Sequence, residues 1–107
     1  MQLKTIVEGL RFPEGPIAMP DGSVILVEIE RQTLSLGTPG GAIEVVAELR
    51  GGPNGAAMGP DGAIYVCNNG GLRFHKEANG DMRPVGQAND YAGGRIERVD
   101  PLTGESR

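Results

Sequence analysis

The sequence predicts an all-β fold built from two successive blades of a β-propeller, and three observations lead there. Short apolar runs alternate with turns rich in glycine and proline. A sixteen-residue block recurs forty residues further on. The strand after each recurring turn is almost continuously apolar. The chain has 107 residues, enough for one small domain. Its 18 glycines and 8 prolines follow no G-X-Y period, and its 38% hydrophobic content is too high for a collagen or a flexible linker. Glycine and proline placed between short apolar segments instead punctuate many short strands.

The repeat sets the architecture. Pro13-Glu14-Gly15-Pro16-Ile17-Ala18-Met19-Pro20-Asp21-Gly22 aligns without a gap on Pro53-Asn54-Gly55-Ala56-Ala57-Met58-Gly59-Pro60-Asp61-Gly62. Proline, glycine and the Pro-Asp-Gly tripeptide coincide. A period near forty is the length of a four-stranded propeller blade. In each Pro-Asp-Gly, proline presets φ and glycine accepts the positive φ that closes a hairpin. A first strand precedes each turn, over 15–19 and 55–59. A second follows, over 23–29 and 63–67, apolar enough to require cover on both faces. A third strand over 32–36 alternates polar and apolar, and after Thr38-Pro39-Gly40-Gly41 a fourth runs over 42–49.

The first blade therefore spans about 13–50. The second spans about 53–107 and carries an insertion over 69–93, rich in glycine, asparagine and charge, with a short hairpin expected around 72–76 and 81–85. Gly94-Arg95-Ile96-Glu97-Arg98-Val99-Asp100 reads as the displaced third strand, and Pro101-Leu102-Thr103-Gly104-Glu105 as its turn. The chain ends where a fourth strand would start, and residues 4–7 read as a stray strand. Two blades expose apolar faces and unpaired edges, because propellers close with about four to eight blades. The sequence thus reads as a single partial propeller domain with an incomplete ring.

Charge and cysteine narrow the function classes. A net charge of −4 argues against a nucleic-acid or anionic-membrane partner, either of which needs a basic face. Arg95 and Arg98 flank Glu97 and read as a solvated outer strand. The lone Cys67 excludes an internal disulfide, fits a reducing compartment, and is expected to be a buried structural thiol. Neither a signal peptide nor a membrane-spanning stretch is legible, so a cytoplasmic location is expected. Glu28 and Glu30 read as exposed or turn residues, and Asn68 and Asn69 as loop formers at a strand end.

Gly9-Leu10-Arg11-Phe12-Pro13-Glu14-Gly15-Pro16, Gly52-Pro53-Asn54-Gly55-Ala56-Ala57 and Gly94 to Asp100 together resemble the senescence-marker-protein (regucalcin)/gluconolactonase-like family. The resemblance covers nearly the whole chain and implies its N-terminal part: two blades of a six-bladed β-propeller. It further implies a metal-dependent lactone or ester hydrolase with one divalent ion (Ca²⁺, Zn²⁺, Mg²⁺ or Mn²⁺) in the central channel. Carried over by position, Glu14 matches the family's first-blade metal ligand, and Asn54 a channel-facing asparagine that contacts metal or substrate. The implied partners are a small lactone or ester and the remaining blades, which would bring the other ligands. In some lactonases of the family an arginine directly precedes that asparagine; here the nearest is Arg50.

The residue types agree with such a site. Glu14 and Asn54 hold the same place in their repeats, at the start of the innermost strand, so both address one axis. A carboxylate beside an amide oxygen offers hard donors suited to Ca²⁺, Mg²⁺ or Mn²⁺ and compatible with Zn²⁺. Plainer readings stand beside this one: Glu14 as a turn residue between proline and glycine, and Asn54 as an αL or Asx-turn residue. The alternative functions are a non-catalytic propeller used for binding or scaffolding, and an orphaned, truncated product without activity.

Overall fold

The computed structural model describes residues 2–107. Among them there is no helix, and all strand pairing is antiparallel. Four strands form the first sheet in sequential order: β1 (Pro13–Ala18), β2 (Val24–Glu28), β3 (Thr33–Gly37) and β4 (Ile43–Glu48). The second sheet begins the same way with β5 (Pro53–Met58) and β6 (Ile64–Asn68). The chain then leaves to form a two-stranded ribbon, β7 (Leu72–Lys76) and β8 (Met82–Gln87). It returns as β9 (Arg95–Val99), which pairs with β6. The expected hairpin inside the insertion and the displaced third strand are both present.

The two Pro-Asp-Gly turns are built alike. Gly22 and Gly62 have φ of 88° and 82°, a region open to glycine and costly for other residues. The Met19 amide donates to Ser23 O at 2.9 Å, and the Gly59 amide to Ala63 O at 2.8 Å. The aspartate then caps its turn, accepting from the Ser23 amide in the first and the Ala63 amide in the second. These bonds hold both carboxyls below the usual aspartate range. The first cause at Asp21 is the Ser23 hydroxyl, and at Asp61 the Tyr65 hydroxyl.

The core lies between the two sheets. Ile25, Val27, Leu34 and Ala47 from one face of the first sheet, with Leu49, meet Ile64, Val66 and Val99 from the second. Register explains the grouping: Ile25 is opposite Leu36, and Val27 opposite Leu34, which in turn opposes Ala47. In a strand, successive side chains alternate faces, so Val24, Leu26 and Glu28 point away from this core. The segment 4–10 lies over that other face and leaves Leu26 only 4% exposed. Cover on both faces, expected for β2, is therefore present.

For β6 the expectation fails. Ile64, Val66 and Asn68 are buried, whereas Tyr65 and Cys67 are exposed on the opposite face, beside Ile96 and Arg98 of β9. Cys67 is thus an exposed thiol, not a buried one. An apolar run states that a strand tolerates burial on two sides; the neighbour that would cover the second side has to come from elsewhere. Arg98 pairs with Asp61 at 3.1 Å, and Arg95 with Glu97 at 3.2 Å, so this outer strand is partly solvated but tied down.

One further expectation changes. Residues 4–7 form no strand; they lie across the first sheet as an extended cover without ladder bonds. Beside β9, where a fourth strand was expected to start, there is an isolated bridge between Ser106 and Val99, and Arg98 and Arg107 exchange backbone hydrogen bonds of 2.8 and 3.1 Å. No helix among the described residues is long and apolar enough to cross a membrane.

Candidate functional site

Strands β1 and β5, each at the edge of its sheet, lie side by side. A Cβ on Gly15 would sit 2.9 Å from the Ala56 nitrogen and 3.0 Å from Gly55 Cα, so this approach requires glycine. The φ of Gly15, 53°, requires it again. Both strands are irregular early in the repeat, at overlapping but not identical places: Glu14 itself stays paired with Val27, whereas its equivalent Asn54 is unpaired. Pairing of β1 with β2 slips between Glu14 and Ile17, and pairing of β5 with β6 slips between Pro53 and Gly55, leaving Asn54 as the extra residue. A bulge bends its strand and re-aims the side chains beside it, and bulges are frequent next to binding sites.

Glu14 and Asn54 are both exposed at these irregularities. Glu14 Oε2 accepts a 3.3 Å hydrogen bond from the neighbouring Gly15 amide; among the described residues the carboxylate joins no ion pair. It also lines a groove of about 460 Å³ between the first sheet and the segment 4–10, with Leu10, Pro16, Val24 and Leu26 on the apolar wall. The backbone thus brings the two strands together, while the two side chains share no hydrogen bond with each other. No three His, Cys, Asp or Glu side chains gather among the described residues. Glu14 and Asn54 fit a hard divalent ion as two of its oxygen donors, the remainder having to come from other groups.

The insertion is fastened near this end of the sheets. The rings of Phe12 and Phe74 lie 5.2 Å apart at a tilt of 50°, linking β7 to the residue two before Glu14. Phe12 has φ of 59°, a left-handed conformation uncommon for an aromatic residue.

The residues beneath the site were misread from sequence. Glu28, expected to be exposed, is fully buried. Its Oε1 accepts from the Arg11 amide and Arg31 Nε, both at 2.8 Å; its Oε2 accepts from the Ser35 hydroxyl at 2.5 Å and Thr33 at 3.2 Å. Burial by itself pushes this carboxyl up. The hydrogen bonds from Ser35, Arg31 and the Arg11 amide, with the charge of Arg31, outweigh burial and hold it below its ordinary value. Glu30 is mostly covered and pairs with Arg11.

Asn68, expected to be a loop former, is 4% exposed and makes four hydrogen bonds. Its Oδ1 accepts from the Gly52 amide at 2.8 Å and the Gly70 amide at 2.9 Å. Its Nδ2 donates to Arg50 O and to Glu97 Oε1, both at 2.9 Å. Asn69 does act in the loop, accepting from the Gly71 amide at 2.8 Å. A signal for Glu28 and Asn68 existed: both end the same apolar run forty residues apart, on the face that alternation assigns to Leu26 and to Val66.

No family model matches the chain, and comparison with curated proteins finds no match.

Proposed function

We propose that the two sheets are consecutive blades of a six-bladed β-propeller of the gluconolactonase-like class, and that the chain is the N-terminal part of a metal-dependent lactone or ester hydrolase. The carrying observation is the close approach of β1 and β5 at Gly15, with irregular pairing in each strand beside the exposed, repeat-equivalent Glu14 and Asn54. Glu14 is the proposed metal ligand, and Asn54 contributes an amide oxygen or nitrogen to metal or substrate. A divalent ion held there supplies polarisation of a lactone or ester carbonyl and acidifies coordinated water. The chain's own part is to hold a carboxylate free of ion pairing at the axis, backed by an apolar wall that takes the uncharged body of a substrate.

Titration with Mn²⁺ tests the ligand. Glu14→Ala is expected to leave thermal stability within about 0.5 kcal/mol, since the side chain is exposed, and to weaken Mn²⁺ binding at least tenfold by calorimetry or paramagnetic broadening. Equal affinity with and without the carboxylate rejects the assignment and favours a propeller used only as a binding surface. The purified 107-residue monomer is expected to show no lactone hydrolysis with Ca²⁺, Zn²⁺, Mg²⁺ or Mn²⁺, because two oxygen donors hold an ion without fixing it and its water for attack. Metal-dependent turnover by that monomer would mean that the two blades already hold a complete site.

A further inference from the structure

We infer that Glu28 and Asn68 are repeat-equivalent positioning residues, each locking the segment that leads into β1 or β5 and thereby aiming Glu14 or Asn54. The inference rests on the site role proposed for those two residues. The strand pairing is the same in both units, although the contacts to the incoming segment and their chemistry differ. Glu28 lies opposite Pro13, and Asn68 opposite Pro53, one residue before the side chain each would aim. Glu28 takes the Arg11 amide directly, and Arg31, anchored on Glu28, reaches on to Gly9 O at 2.9 Å. Residues 9–13 are thus held from below. Asn68 takes the Gly52 amide and gives to Arg50 O, clamping residues 50–52.

Each hub has the side chain its partners demand. Everything that faces Glu28 is a donor: an amide, a guanidinium and two hydroxyls. A carboxylate, which only accepts, satisfies all of them. Asn68 faces two amide donors together with a carbonyl and a carboxylate, so it must both accept and donate, and an amide does both. Close packing adds a second constraint at Asn68. A Cβ on Gly51 would come within 2.4 Å of its Oδ1, so backbone and side chain are fitted to each other. Groups that orient a ligand side chain from beneath are a common second layer of metal and binding sites.

Hydrogen exchange by NMR on the whole chain, with Mn²⁺ as the only probe ligand, tests the inference. The reporters are amides that touch neither hub: Ile29 and Glu30, which donate to Phe12 O and Arg11 O, for the first unit, and Asn69, which donates to Gly52 O, for the second. Glu28→Gln is expected to speed exchange at Ile29 and Glu30 at least tenfold, leave Asn69 unchanged, and weaken Mn²⁺ broadening at Glu14 and Asn54 together, because they share one ion. Asn68→Ala is expected to speed exchange at Asn69, leave Ile29 and Glu30 unchanged, and weaken the shared broadening likewise. Should Glu28→Gln fail to fold, Ser35→Ala removes one donor from the hub and reads the same amides. Unchanged exchange at Ile29 and Glu30, or acceleration spread evenly over both sheets, overturns the positioning role. Absence of broadening at both Glu14 and Asn54 in the unaltered chain overturns the metal reading alone, because the exchange pattern still decides positioning.

Discussion

Glu28→Ala is expected to destabilise the fold by about 3–5 kcal/mol in chemical denaturation, the range for removing one partner of a buried, hydrogen-bonded charge pair. The carboxylate is fully buried and holds four donors from three segments of chain. Removing it takes the charged acceptor from Arg31, which keeps only Gly9 O as a partner among the described residues. Thr33 and Ser35 keep only their mutual 2.7 Å contact. In a chain this small, a loss of that size can consume most of the stability. Glu28→Gln, which keeps shape and part of the hydrogen bonding, should cost less, about 1–3 kcal/mol.

The same residue makes stability depend on pH, and the sign is fixed by its hydrogen bonds. Its folded pKa lies below the unfolded value. The stability it contributes is therefore complete above the unfolded glutamate value of about 4.3, and is lost as pH falls through the lower folded value. The gap in stability between the unaltered chain and Glu28→Gln should be constant from pH 6 to 8 and narrow below about pH 4. Asp21 and Asp61, also held low, add to acid loss in both proteins and cancel in the comparison. A gap that widens in acid would show that Glu28 is not ionised in the folded state.

What sequence reading captured and what it missed separate along one physical line. Local chemistry was legible. Pro20-Asp21-Gly22 and Pro60-Asp61-Gly62 carry the φ preferences and the capping carboxylate that a hairpin needs, so the turns and their flanking strands fall where they were expected. The hairpin expected around 72–76 and 81–85 is the ribbon of β7 and β8, and the expected displaced third strand is β9. Properties set by a distant neighbour were not legible. Cys67 and Val66 sit in one apolar run, yet only Val66 meets the first sheet. Glu28 looks like a solvated strand end until Arg11, Thr33 and Ser35 are brought against it by pairing across seventeen, five and seven residues. Residues 4–7 have strand-forming side chains but find an apolar face to cover, and no ladder to join. For the candidate site, sequence supplied the residues and their equivalence, whereas the bulges and the contact at Gly15 appear only in three dimensions.

That contact carries the second large effect. Gly15→Ala should destabilise by about 2–5 kcal/mol, because two costs fall on one methyl group. Alanine at φ of 53° costs about 1–2 kcal/mol in backbone strain. The Cβ would also meet the Ala56 nitrogen at 2.9 Å and Gly55 Cα at 3.0 Å, where the obstacle is backbone and cannot rotate away; overpacking of this kind costs about 1–3 kcal/mol. Gly62→Ala separates the two costs. Gly62 has φ of 82° but nothing within 4 Å of its Cβ position, so this variant should show only the strain component. If both variants lose the same stability, β1 and β5 are not in close contact in solution. If Gly15→Ala loses about 1–3 kcal/mol more, the two strands do meet there. The methyl group would then force them apart at the place where Glu14 and Asn54 emerge, so any shared ligand should be lost with it.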